Sequence, residues 1–143
     1  RGSLPPKRPA TRPPVDRDPR AMSFSPSPRE RGRLAESYTA DRLVSLGYAI
    51  VARNARVGRL ELDLVVRSRQ LLAFVEVRAR TTLEHGHPGE TIDREKRARV
   101  RRAAAGWLSA HPSSATEVRF DAACVVFDRE GRIRAWHYYP GAF

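Results

Sequence analysis

Apolar positions recur along this chain in two rhythms, one near 3.6 residues and one near 2. Arg31–Leu46 (RGRLAESYTADRLVSL) carries apolar groups at 34, 35, 38, 43 and 46, close to a helical stripe, and Gly47 stands where a helix stops. Ile92–Ala110 repeats that rhythm, with Val100, Ala103, Ala104, Trp107 and Leu108 as its inward stripe and Asp93 as a candidate N-cap. Strand-like runs lie between and after the two helices. Tyr48–Ala52 predicts a first strand, and the stretch from Arg53 to Gly58 a turn. Leu60–Val66 and Leu71–Val77 flank a short polar Arg-Ser-Arg-Gln break, the signature of a β-hairpin. Thr81–Thr91 is polar, with two glycines and a proline, and predicts a loop. Val118–Phe127, a turn at Asp128–Gly131, and Ile133–Tyr139 complete the pattern.

Alternation assigns faces. Leu60, Leu62, Leu64 and Val66 share one side of their strand; Leu71, Ala73, Val75 and Val77 share one side of theirs, with Leu72 and Phe74 opposite. Strands apolar on both faces belong in the middle of a layered α/β domain, so a helix is expected on each side of the sheet. Trp136, Tyr138, Tyr139 and Phe143 read as core and edge packing rather than as platforms for stacking bases.

Composition narrows the picture. The chain has room for one domain with a modest core. Residues 1–28 hold eight of the eleven prolines among scattered arginines, too little apolar surface to fold, and predict a disordered basic tail ahead of a domain over 29–143. Met22, near the end of that tail, is a candidate translation start. The single cysteine, Cys124, sits in an apolar run, which excludes an internal disulfide and a cysteine zinc cage and fits a reducing cytoplasm. No apolar segment reaches membrane-spanning length, and the N-terminus lacks a signal-peptide core, so a cytoplasmic protein with no membrane role is expected.

Charge selects a class of partner. Lys and Arg number 27 against 16 Asp and Glu, a net charge of +11 that favours polyanions, nucleic acid first. One face of the second helix carries Arg94, Lys96, Arg97, Arg99, Arg101 and Arg102, a candidate phosphate-backbone contact, although a solvated face explains about half of them.

The candidate chemistry is acidic. Glu61, Asp63 and Glu76 interrupt the apolar hairpin; residues two apart share a face, so Glu61 projects with Asp63 and Glu76 with Arg78. Carboxylates among apolar groups are costly to desolvate and repel one another, so a positive charge is expected between them: an arginine, or a hard divalent cation such as Mg²⁺ or Mn²⁺. On spacing alone, pairing with arginines at a sheet edge ranks first. Glu36, near the edge of the first helix's stripe, is placed to point toward the same end, or to remain a surface residue favoured by the helix dipole. His85 and His87, one residue apart, are too little to define a metal site. Asp121 interrupts the fourth strand and is expected to anchor an arginine or a turn.

The order helix, three strands, helix, strand resembles the restriction-endonuclease-like PD-(D/E)XK superfamily, and more closely the YraN-type family of uncharacterised bacterial proteins. The pieces carrying that likeness are Gly32, Glu36 and Ala40, Gly47-Tyr48, Arg53-Asn54, Glu61-Leu62-Asp63-Leu64, Phe74 to Arg80, Lys96, Arg119-Phe120-Asp121 and Ala142-Phe143. The resemblance implies an αβββαβ core with a mixed central sheet flanked by helices. It raises a nuclease-like reading above simple ion pairing. It further implies Mg²⁺ or Mn²⁺ on Asp63 and Glu76, assisted by the Val77 carbonyl, with Glu36 or Glu61 holding a second ion or a metal-bound water. The substrate implied is nucleic acid, DNA before RNA, with Lys96, Arg97, Arg94 and Arg101 at its phosphates. Arg78 occupies the position of the usual motif lysine. The function expected is Mg²⁺-dependent phosphodiester hydrolysis, and the alternative is a nuclease-fold protein that binds nucleic acid without cutting it.

Overall fold

The computed structural model describes residues 25–81 and 92–143. Its elements run α1 (Pro28–Ser45), β1 (Ala49–Val57), β2 (Leu60–Ser68), β3 (Leu71–Thr81), α2 (Arg94–Ala110), β4 (Glu117–Phe127) and β5 (Ile133–Tyr139). One mixed sheet has these strands in chain order. Only β3 and β4 pair in parallel, and α2 supplies the crossover that such a pair requires. The α/β class, the αβββαβ order and the mixed sheet between helices are thus as the sequence predicts, with β5 added at one edge.

Each helix end has a chemical cause. The first begins three residues ahead of the stripe at 31, because Ser27 and Glu30 form a capping box and Pro28 fills the first turn, where its missing N–H costs nothing. It ends at Gly47, φ +95°, with the Tyr48 N–H donating to the Leu43 carbonyl and the Gly47 N–H to that of Val44. The Asp93 carboxylate accepts from the Lys96 N–H at 2.9 Å, as expected of an N-cap.

The helices cover opposite faces. Ala40 and Leu43 of α1 pack on Leu64, Val66, Ala73, Val75 and Ala123, while Ala35 meets Val125 and Phe127. On the other face, Val100, Ala103, Ala104 and Trp107 of α2 pack on Leu62, Val65, Leu72 and Phe74. Gly106 is needed there: a Cβ on it would lie 2.6 Å from the Val57 side chain. Cys124 is buried, in keeping with a packing role.

Two sequence expectations fail. Arg53 to Val57 is strand, not turn: β1 continues through Arg56 opposite Glu61 and Val57 opposite Leu60, leaving Gly58 and Arg59 as the hairpin turn. These polar residues are tolerated because β1 is an edge strand, largely exposed. Nor do the leucines of β2 share a face. Leu62 packs toward α2, and Leu64 and Val66 toward α1. Alternation is broken between them, at Asp63, and opposite it in β1 Asn54 takes φ +49°. The two irregular residues stand between the pairs Arg53 with Leu64 and Ala55 with Leu62. The register is the same on both sides of this break; the register shift that marks a bulge lies further along, between Ile50 and Ala52.

The predicted loop, with His85 and His87, falls on residues 82–91, outside the described residues, as does most of the predicted tail. Among the described residues no helix is long and apolar enough to cross a membrane.

Candidate active site

Pairing between β2 and β3 runs from Ser68 with Leu71 to Leu64 with Val75. Beyond that point the strands diverge into a fork, and Asp63 stands at its crotch. Its Oδ2 accepts from the Val77 N–H at 2.9 Å, replacing a ladder hydrogen bond that the divergence removes. Glu76, one step past the last pair, is buried on the face that β3 turns toward α2. Lys96, in the first turn of α2, places its Nζ 2.5 Å from Glu76 Oε1. The cation beside the acidic pair therefore comes from the helix. Arg78, half-buried, follows Glu76 on the same face of β3.

Asp63 and Glu76 are hydrogen-bonded to each other, which sets the electrostatics of the fork. Burial, and then the charge of Glu76, push the Asp63 carboxyl up to about 8, while the Val77 N–H acts in the opposite direction. At neutral pH the Asp63 carboxyl therefore largely keeps its proton. A hard divalent cation bound by one or two carboxylates and several waters suits such a donor set, since its charge replaces that proton. Among the described residues no group of three or more His, Cys, Asp and Glu side chains is arranged to hold an ion.

Glu36 reaches the same region from α1. Burial raises its pKa, a hydrogen bond with Asn54 opposes the rise, and the nearby Glu61 and Glu76 add to it. Its predicted direction is therefore correct. Glu61 is exposed and does not enter the fork with Asp63, because the break in β2 separates their directions; it lines a cleft of about 520 Å³ with Arg29, Gly32, Arg33, Glu36, Asn54 and Arg56. Asn54 went unrecognised in the sequence as a site residue. Its signal was there, since Asn adopts the left-handed conformation more readily than most residues.

Of the four basic residues predicted to meet phosphates, Lys96 is engaged with Glu76. Arg97 donates from Nε to the Ile92 carbonyl at 2.8 Å, and Arg101 lies over the Phe120 ring at 5.0 Å. Arg94 is exposed at the start of α2.

Asp121 anchors an arginine and a turn, as the sequence suggests. Wholly buried, it accepts from Arg119 at 2.7 and 2.8 Å, from the Tyr138 hydroxyl, and from the Gly141 N–H at 2.9 Å. Arg119 also donates to the Tyr48 hydroxyl, and its pKa is raised chiefly by the bond to Asp121; burial raises that of Tyr138. The cluster ties β4 and β5 to the end of α1.

Comparison with known proteins identifies the chain. The pattern of the uncharacterised protein family UPF0102 matches residues 35–125. This chain belongs to UPF0102. A UPF0102 protein of Beutenbergia cavernae is 44% identical over 106 residues, covering 74% of this chain and 90% of that protein. One of Dictyoglomus thermophilum is 34% identical over 115 residues, covering 80% and 98%. A third, from Frankia casuarinae, is 40% identical over 112 residues, covering 78% and 94%. The expected membership of the YraN-type family is therefore correct. The matched segment of UPF0102 runs from Ala35 on α1 to Val125 in β4, so it contains the fork, Glu36 and Lys96.

Proposed function

We propose that this UPF0102 protein is a Mg²⁺- or Mn²⁺-dependent nuclease that hydrolyses phosphodiester bonds in DNA. The observation that carries the reading is the meeting of Asp63 and Glu76 in the β2–β3 fork, close enough to share a hydrogen bond, with the Lys96 ammonium 2.5 Å from Glu76. Asp63 and Glu76 hold the cation. When bound, it lowers the pKa of a coordinated water and polarises the scissile phosphate.

The chain's own residues supply the rest. Glu36, whose carboxyl is pushed toward neutrality chiefly by burial, accepts the proton of the attacking water. The water oxygen forms a bond to phosphorus, the bond to one deoxyribose oxygen breaks, and that oxygen takes a proton from a solvent water. Lys96 stabilises the charge that develops on the phosphate oxygens, the task usually given to the motif lysine. Arg78 adds positive charge on the same face but is too basic to exchange a proton. The excess of cations over carboxylates draws a polyanionic substrate toward the site.

The test is a titration with Mg²⁺ and Mn²⁺ on linear, forked and four-way-junction DNA. The native protein should cut at least one of these. Asp63→Asn and Glu76→Gln should each lower the rate by about two orders of magnitude or more, the usual cost of disabling a charge-stabilising site. Cleavage undiminished in both variants sinks the proposal. Salt-sensitive binding with no cleavage under either metal favours the alternative of a binding protein without hydrolytic activity.

A further inference from the structure

The polar cleft beside the fork has features that the carboxylate pair does not explain. Three exposed guanidiniums, Arg29 and Arg33 from α1 and Arg56 from β1, face two carboxylates, Glu36 and Glu61, around about 520 Å³. Among the described residues Arg29 and Arg56 enter no hydrogen bond or ion pair, and Arg33 acts on Glu36 only through its charge, in contrast to Arg97, Arg101 and Lys96 on α2. Gly32 sits on the cleft wall in the interior of α1. A glycine there weakens the helix, and a Cβ at that position would meet nothing within 4 Å. Packing therefore gives no reason for it. Keeping the cleft clear does.

We infer that this cleft is the strand-binding site: it takes the phosphodiester backbone of a single DNA strand and leads it to the fork. The proposal rests on the nuclease reading and adds where the substrate lies. The volume is that of a ligand pocket, enough for a short piece of one strand and not for the breadth of a duplex. Among the described residues no aromatic ring lines it, so they offer no platform for stacking bases and read backbone without sequence. Arginine suits the task, since its planar fork binds phosphate oxygens in pairs. Glu36 and Glu61 repel phosphate from their own side, which keeps the strand on the arginine wall. Glu36 links the two places: it lines the cleft, and it lies near enough to Glu76 for that charge to raise its pKa.

The decisive variant is Gly32→Leu. It raises helix propensity, and its Cβ meets no heavy atom within 4 Å, so the protein should remain folded while the side chain extends into the cleft. A second variant, Arg29→Ala/Arg33→Ala/Arg56→Ala, removes the cations instead. Binding of a labelled single-stranded oligonucleotide is followed by fluorescence anisotropy in EDTA across a salt series, beside a comparison variant, Arg99→Ala/Arg102→Ala, on α2. Both cleft variants should weaken binding about tenfold or more, and the triple variant should flatten the log–log salt slope by about 2, roughly 0.7 per lost phosphate contact. Full binding by Gly32→Leu and the triple variant, with loss in the α2 variant, overturns the cleft and leaves the nuclease reading standing. Native protein that binds no strand even at low salt overturns the cleft, and the metal titration on linear, forked and junction DNA then decides the nuclease reading separately. Native protein that cleaves while the cleft variants bind normally overturns the cleft alone.

Discussion

Replacing Asp63 by Asn should stabilise the protein, and the amount should depend on pH. In the fold the carboxyl is pushed from 3.8 to about 8, first by burial and then by Glu76. Between those values the folded chain holds a proton that the unfolded chain has released. The native protein's stability is therefore fully present below about pH 4 and falls as pH rises toward 8. At 1.36 kcal/mol per pH unit the whole gap sets a ceiling of about 6 kcal/mol, and the screening by Lys96 and by water at the open side of the fork leaves on the order of 2–3 kcal/mol. An Asn at 63 keeps an oxygen for the Val77 N–H and offers an N–H to Glu76, imitating the protonated acid without the penalty. The variant should match the native protein near pH 4. Near pH 8 it should exceed it by roughly 2 kcal/mol, or about 5–10 °C in Tm for a domain of this size. Urea unfolding followed by far-UV circular dichroism in EDTA measures both points. Excess Mg²⁺ should reverse the order at pH 8: binding to the native site adds about 2.7 kcal/mol at a hundredfold excess over Kd, and the variant should gain little. A variant no more stable than the native protein near pH 8, or equal stabilisation of both by Mg²⁺, refutes the reasoning.

Individual contacts carry three more predictions. Lys96→Met leaves the Glu76 side chain, 8% exposed, without its cation; because the Lys96 side chain is 42% exposed, the cost should be only about 1–2 kcal/mol by thermal melting near neutral pH. Asp121→Ala strips the acceptor from Arg119, the Tyr138 hydroxyl and the Gly141 N–H at once, and should cost about 3–5 kcal/mol, with faster hydrogen exchange at the Gly141 amide. Ser27→Ala breaks the capping box and should cost about 1 kcal/mol in urea unfolding, without altering any DNA cleavage.

Much of the fold could be read from local signals because those signals are local in origin. The stripe of α2, its Asp93 cap, the Gly47 stop and the β2–β3 hairpin each arise from a few neighbouring residues. Ser27 and Glu30 were equally readable as a capping box, three apart ahead of the first helix. The features that escaped depend on partners far away in sequence. Strict alternation put Leu62 with Leu64, but the paired irregularity at Asn54 and Asp63 arises from two strands diverging together. The site divides similarly. Asp63, Glu76 and Glu36 were legible because acids in an apolar stretch need an explanation. Lys96, in the first turn of its helix, was readable as reaching the same end; that its partner there is Glu76 required the crossover geometry of α2. The arginine cleft draws on α1, β1 and β2, whose polar residues look ordinary until they meet.

The break in β2 also divides the interior into two compartments that can be observed separately. The chain has two tryptophans, and each reports on a different side of the sheet. Trp107 packs edge-on to Phe74 beneath α2, whereas Trp136 donates to the buried Thr39 of α1 and stacks on Tyr138. Intrinsic fluorescence of single-tryptophan forms, with phenylalanine at the other site, thus gives one optical channel per layer. Coincident midpoints would mark the sheet as a rigid partition that fails all at once; separate midpoints would mean that one helix can lift away while the other stays seated.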